Sequence, residues 1–138
     1  MAKKKITLTM KADKEYEAVN ESGNRIGIDM YDGEGKRHQS PMELLLSALA
    51  GCSAVDAVQM MKKKRRTITS FETEAIGERR EGIPAYYTAI HLSFILTSPD
   101  ATEEEFAKVI KLAVEKYCSV ASSLKPEITF ESKIVNPT

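Results

Sequence analysis

Neither sign of charge is in excess. Twenty lysines and arginines stand against 20 aspartates and glutamates, a formal net charge of +0 at pH 7. No global field therefore steers the chain toward nucleic acid or an anionic membrane. Cysteine is scarce, with two in 138 residues, and so is histidine, with two. Two cysteines in a reducing compartment do not form a permanent staple. They are too few for a structural zinc site unless His38 and His91 join them, and neither histidine stands at metal-ligand spacing. No metal and no cofactor is expected. No unbroken apolar run reaches the ~20 residues of a membrane span. The basic start, MAKKKITLTM, lacks the apolar stretch of a secretory signal. The expectation is a cytoplasmic protein with no membrane and no nucleic-acid partner. With 42% apolar and 29% charged residues, there is enough apolar mass for one core, and a single domain over 1–138 is expected.

Period-two alternation dominates the first third. Ile6, Leu8 and Met10, then Ile26, Ile28 and Met30, alternate with polar neighbours, which predicts half-buried strands in an antiparallel meander over 5–32. The turn-rich stretches NESGN and DGEGKRHQS break it. At Ser40-Pro41-Met42-Glu43 the pattern changes to a helix start. Ser40 can cap, Pro41 suits the first helical position and Glu43 completes a capping box. From Leu44 to Met61 nearly every residue is apolar or small, which predicts a helix buried on most sides. The cations 62–66 match the negative end of its dipole.

Residues 70–80 and 86–97 read as paired antiparallel strands around the turn REGIP, with Ile90, Leu92, Phe94 and Leu96 alternating. Thr102 opens a second helix with Glu103, Glu104 and Glu105 in its first turn, another capping box. Its apolar face runs through Phe106, Val109, Ile110, Ala113, Val114 and Tyr117 and is bordered by Cys118. Ile128, Phe130 and Ser132 suggest a last strand. The sum is one α+β domain, an antiparallel sheet with two main helices.

Cys52 lies inside the first helix, about 16 Å from its start. The dipole's favour toward an anion fades within one turn, and Asp56 at i+4 repels a thiolate. A reactive Cys52 therefore needs a borrowed cation. Arg25 and Arg37 are the candidates, with Arg25 preferred because a strand holds a charge more firmly than a loop. Cys118, at the end of the second helix, faces the dipole end that disfavours an anion, which suits a thiol that waits. Against this stands the plain reading: free cysteine is often only a small buried hydrophobe. His91 is read as an ordinary face position, and the run 62–66 as a solvated helix end.

SPMELLLSALAGCSAVDAV, followed much later by KYCSVASSL, resembles the OsmC/Ohr family of osmotically inducible and organic hydroperoxide resistance proteins. The resemblance covers nearly the whole chain. It implies an intertwined homodimer of α+β subunits, with antiparallel sheets wrapped around a long buried central helix. It also implies thiol peroxidase chemistry: Cys52 attacks an organic hydroperoxide and becomes a sulfenic acid, Cys118 resolves it to a disulfide, and an external dithiol resets the pair. In clear peroxidases of the family a glutamate directly follows the helix-starting proline and pairs with the activating arginine. Here Met42 follows Pro41 and the acid comes one position later, at Glu43. One residue turns a side chain by about 100° around a helix. The segment GCSAVDAV is more similar to the YhfA-like branch. The alternative function is a dimeric redox-sensing or small-ligand-binding module without peroxidase turnover.

Overall fold

A computed structural model describes residues 2–137. The chain divides into two compact units, Met1–Leu45 and Leu46–Thr138. The boundary falls within one helix, α1 (Pro41–Lys63).

The first unit is the expected meander. β1 (Ile6–Ala12), β2 (Glu15–Asn20) and β3 (Arg25–Asp29) form a three-stranded antiparallel sheet. The alternation is present, but its burial is not what the apolar pattern predicts. Ile6, Leu8 and Met10 are 63%, 56% and 60% exposed, and Ile26 and Met30 are also open. The fully buried member of β3 is a charge, Asp29. A short 3-10 turn, Gly33–Gly35, follows before α1. The α1 capping box is formed as read: the Glu43 N–H donates to Ser40 Oγ (3.3 Å), and the Ser40 N–H donates to Glu43 Oε1 (2.9 Å).

The second unit carries the larger core. β4 (Ser70–Arg79) and β5 (Tyr87–Thr97) pair antiparallel, from Ser70 opposite Thr97 down to Arg79 opposite Tyr87. The third strand, β6 (Glu127–Val135), lies on the other side of β5 and runs parallel to it. The expected all-antiparallel sheet therefore becomes mixed. The physical reason is the connection between the two strands: it contains α2 (Glu103–Leu112) and is long enough for the crossover that parallel neighbours require. β5 turns Tyr87, Ile90, Leu92, Phe94 and Leu96 inward, and α2 supplies Phe106, Val109 and Ile110. Phe71 joins the two layers, with its ring 6.1 Å from those of both Phe94 and Phe106. The α2 capping box is complete between Thr102 and Glu105.

Helix α1 departs from its expected all-round burial. One stripe, Leu49, Ser53, Ala57 and Met61, is buried, whereas Leu45 and Val55 are 38% and 61% exposed. Over its 23 residues the helix is long and apolar enough to cross a membrane by length and composition alone, against the sequence expectation; 22% of its most apolar window is buried within the chain. Asp56, midway along α1, would be costly in a hydrocarbon setting, at ~2.5–3.5 kcal/mol. The helix closes on Arg65, which adopts a left-handed φ of 61°. The Arg66 N–H donates to the Met61 carbonyl and the Arg65 N–H to that of Lys62, which is a Schellman ending. Arg66 then grips Glu105 with two parallel bonds, Nε to Oε1 at 2.7 Å and a terminal NH2 to Oε2 at 3.1 Å. The basic run is thus partly spent on structure.

Candidate functional site

Cys52 and Cys118 meet in the second unit. Cys52 is half-buried on α1, one position before the buried stripe residue Ser53. Cys118 is 1% exposed. Both are free thiols, and Cys52 lies near enough to Cys118 to help raise its pKa.

The backbone that presents Cys118 differs from the regular helix the sequence suggested. After Leu112 the helix widens into a π turn, Ala113–Tyr117. The wider turn shifts the following positions by one step. Tyr117, expected on the apolar face, is 51% exposed, and Cys118 takes the buried place beside Ala113 and Val114. Cys118 itself is extended (φ −74°, ψ 105°) and caps a short helical turn, α3 (Ser119–Ser122). It does not sit in the last turn of a helix, so the argument that a dipole end disfavours its anion no longer holds. Instead the Ala121 N–H donates to Sγ at 3.3 Å, and Ser53 Oγ lies 3.7 Å from the same sulfur. Burial pushes the Cys118 thiol up. The Ala121 N–H and the Ser53 hydroxyl pull the other way, while the neighbouring Cys52 adds to the rise, and the net direction is upward. The fold therefore keeps Cys118 protonated at rest.

The remaining site residues read from sequence lie in the first unit. Arg25, on β3, pairs with Glu17 at 2.6 Å and has a largely exposed side chain. Arg37 pairs with Glu15 and lies 6.0 Å over the Tyr31 ring. Each candidate cation thus already has a carboxylate partner. Glu43 caps α1, and its other neighbour is Lys36, at 3.6 Å, where an arginine was expected. The bond from the Ser40 backbone N–H holds the Glu43 carboxyl below its usual range.

Sequence reading missed Asp29, the hub of the loop that carries Arg37. Asp29 Oδ2 accepts the N–H groups of Arg37 and His38, both at 2.8 Å, and Oδ1 accepts from Lys36 Nζ at 3.0 Å and from the Tyr31 N–H at 3.3 Å. The His38 ring packs where a Cβ on Gly27 would stand, so the strand must pass there as glycine. The glycine-rich loop is therefore pinned, and the reason for preferring Arg25 over Arg37 loses its force. The only signal in the sequence was a lone acid closing an alternating run. Burial pushes the Asp29 carboxyl up, but the Arg37 and His38 N–H groups and the Lys36 ammonium outweigh it and hold the group well below the carboxylate range. A carboxylate depressed on folding stabilises fully above its unfolded pKa, and that contribution is lost as pH falls below it. Asp29→Asn is expected to lower the thermal midpoint at pH 7 by roughly 5–10 °C, and to flatten the fall of that midpoint between about pH 4 and 2. Melting curves of both proteins across that range check it; parallel curves would count against the hub.

His91, on the outer face of β5, bonds through Nδ1 to Thr129 Oγ1 (2.6 Å) and through Nε2 to Glu131 Oε1 (3.0 Å). Along α1, Asp56, Gln59, Met60 and Lys63 line a cleft of about 420 Å³ together with Tyr117. Asp56 is one turn from Cys52.

The family model for OsmC-like proteins matches residues 33–133. Protein YhfA of Escherichia coli (strain K12) is 39% identical over 107 residues, 78% of each chain. A hypothetical protein of Aquifex aeolicus VF5 superposes with a TM-score of 0.88 at 25% identity, over 100% of both chains. The organic hydroperoxide resistance protein OhrB of Bacillus subtilis shares the fold at a TM-score of 0.64 and 14% identity, over 97% of this chain and 98% of its own. Matched over most of its length and carrying both cysteine segments, the chain belongs to the OsmC/Ohr family, as a homologue of YhfA.

Proposed function

We propose that the protein is a thiol-dependent peroxidase that reduces organic hydroperoxides. The observation that carries this reading is the closeness of two free thiols, one half-buried and one buried, that lie far apart in the sequence: Ser53, next to Cys52, has its Oγ 3.7 Å from the Cys118 sulfur. In the proposed cycle the Cys52 thiolate attacks the outer peroxide oxygen. The O–O bond breaks, an alcohol leaves with a proton, and Cys52 becomes a sulfenic acid. The Cys118 sulfur then displaces that oxygen as water, and the new S–S bond is reduced by an external dithiol. The proposal includes a borrowed cation for Cys52; Arg25 and Arg37, each now in its own ion pair, are the candidates, with Glu43 as the acid of their unit. The working form is a homodimer. The exposed apolar residues Ile6, Leu8, Met10 and Val55 support this, because they are more apolar surface than solvent favours. A reducing compartment such as the cytoplasm is part of the proposal, since the pair starts as thiols.

Cys118→Ser tests the cycle. It is expected to consume one equivalent of cumene hydroperoxide per subunit, stop, and leave a sulfenic acid that dimedone traps. Turnover that continues at the wild-type rate would contradict it. A second reading, a redox-sensing or ligand-binding module without turnover, draws on Glu43 facing Lys36 instead of an arginine. It predicts slow alkylation of Cys52 at neutral pH; rapid alkylation at pH 6 would count against it.

A further inference from the structure

The buried stripe of α1 consists of Leu49, Ala57 and Met61 with one polar member, Ser53, which is 0% exposed. Packing alone does not call for a hydroxyl there. Alanine would fill nearly the same volume and is the better helix former. The hydroxyl has one proton. At 2.6 Å the Leu49 carbonyl is its acceptor, which leaves the oxygen facing the Cys118 sulfur at 3.7 Å. That carbonyl already accepts the helical N–H of Ser53, so the hydroxyl can leave it without orphaning a buried group.

We propose that Ser53 is a positioning residue for the resolving step: its hydroxyl turns from the Leu49 carbonyl to the Cys118 sulfur as that sulfur becomes an anion and attacks Cys52. The inference rests on the reading of the pair as attacking and resolving thiols. A sulfur 1% exposed to water cannot be solvated when it ionises. The Ala121 N–H, at 3.3 Å, is one donor already in place. Ser53 supplies a second from the opposite element, adjacent in sequence to the sulfur under attack. The step balances. Cys118 gives up its proton, its sulfur bonds to the Cys52 sulfur, and the S–O bond of the sulfenic acid breaks. The departing hydroxide takes a proton and leaves as water. The two electrons that the disulfide lacks were removed earlier by the hydroperoxide. No rearrangement of the backbone is needed, only rotation about one Cβ–Oγ bond.

The experiment uses Ser53→Ala in two settings. In the first, with Cys52 replaced by serine, Cys118 is titrated by the ultraviolet absorbance of its thiolate. The midpoint is expected to rise by about half a unit or more when the hydroxyl is removed. In the second, with both cysteines present, one equivalent of cumene hydroperoxide is added and the dimedone-reactive sulfenic acid is followed. Its formation is expected at the unmodified rate, and its conversion to disulfide about tenfold more slowly. A purely structural serine would change the thermal midpoint and leave the titration alone. An unmoved titration, or a moved titration with disulfide closure at the original rate, overturns the proposal. If no sulfenic acid forms even with Ser53 present, the peroxidase reading fails, and an unmoved titration then removes the role of Ser53 as well.

Discussion

With Cys52 replaced by serine, consumption of an organic hydroperoxide in the presence of a dithiol falls to the rate of the dithiol alone, a loss of roughly a thousandfold or more. The size follows from the chemistry. A thiolate is intrinsically nucleophilic toward peroxide oxygen, whereas a serine hydroxyl is neither ionised at neutral pH nor able to take the oxygen and give it up again. Serine is close to cysteine in size, and Cys52 is only half-buried, so the fold survives and an unchanged thermal midpoint is part of the expected result. Cys118 remains in place in this variant and is buried, with a raised pKa. It is not expected to take over the attack. The assay is the loss of peroxide over time at fixed dithiol, compared across wild type, Cys52→Ser and dithiol without protein. Residual activity of Cys52→Ser near the wild-type rate would move the nucleophile to another residue.

The second large effect is on stability. Phe106 is fully buried, and its ring meets Phe71 edge-on at 90° and 6.1 Å. Phe71 in turn tilts against Phe94 at 57°. Phe106→Ala removes one member of this row, loses the transfer free energy of the ring and leaves a cavity that the sheet cannot fill by collapse. A cost of about 3–5 kcal/mol is expected. Phe106 lies in the first turn of α2, held by the Thr102–Glu105 capping box and by the Arg66–Glu105 pair, so the helix end has little freedom to move inward. Ile83→Ala is the control. Ile83 is 97% exposed, and its change should stay within about 0.5 kcal/mol. Chemical denaturation of the three proteins gives both values. A Phe106→Ala cost below that of a surface substitution would mean the aromatic row is not the centre of this core.

Local chemistry in the sequence announced much of this architecture. The two capping boxes, at Ser40–Glu43 and Thr102–Glu105, formed as read because each depends on four adjacent residues. The β1–β2–β3 meander and the β4–β5 hairpin followed from period-two alternation and short turns. What stayed hidden was non-local. Strand β6 runs parallel to β5, a pairing set by a connection of some length and by no residue in either strand. The π turn at 113–117 has no sequence mark, yet it decides that Cys118 and not Tyr117 is buried. Asp29 looked like a polar gap between Ile28 and Met30 and is instead the buried hub of its loop, because its value lies in donors up to nine positions away. The apolar rows of β1 and α1 were legible as apolar, but the chain by itself buries less of them than the alternation and the apolar run predict. For the site, the two cysteines were legible as a pair by resemblance. Ser53, one position from the first, is legible as a small polar exception in an apolar run, but nothing local says that it faces the Cys118 sulfur.

The most direct test of the paired-thiol account is to add one equivalent of cumene hydroperoxide to the reduced protein, digest it without reductant, and weigh the peptides. The account predicts that the peptide containing Cys52 is joined to the one containing Cys118, lighter than the two free peptides together by about 2 Da. Two peptides that remain separate, with both sulfurs still alkylatable, would contradict it.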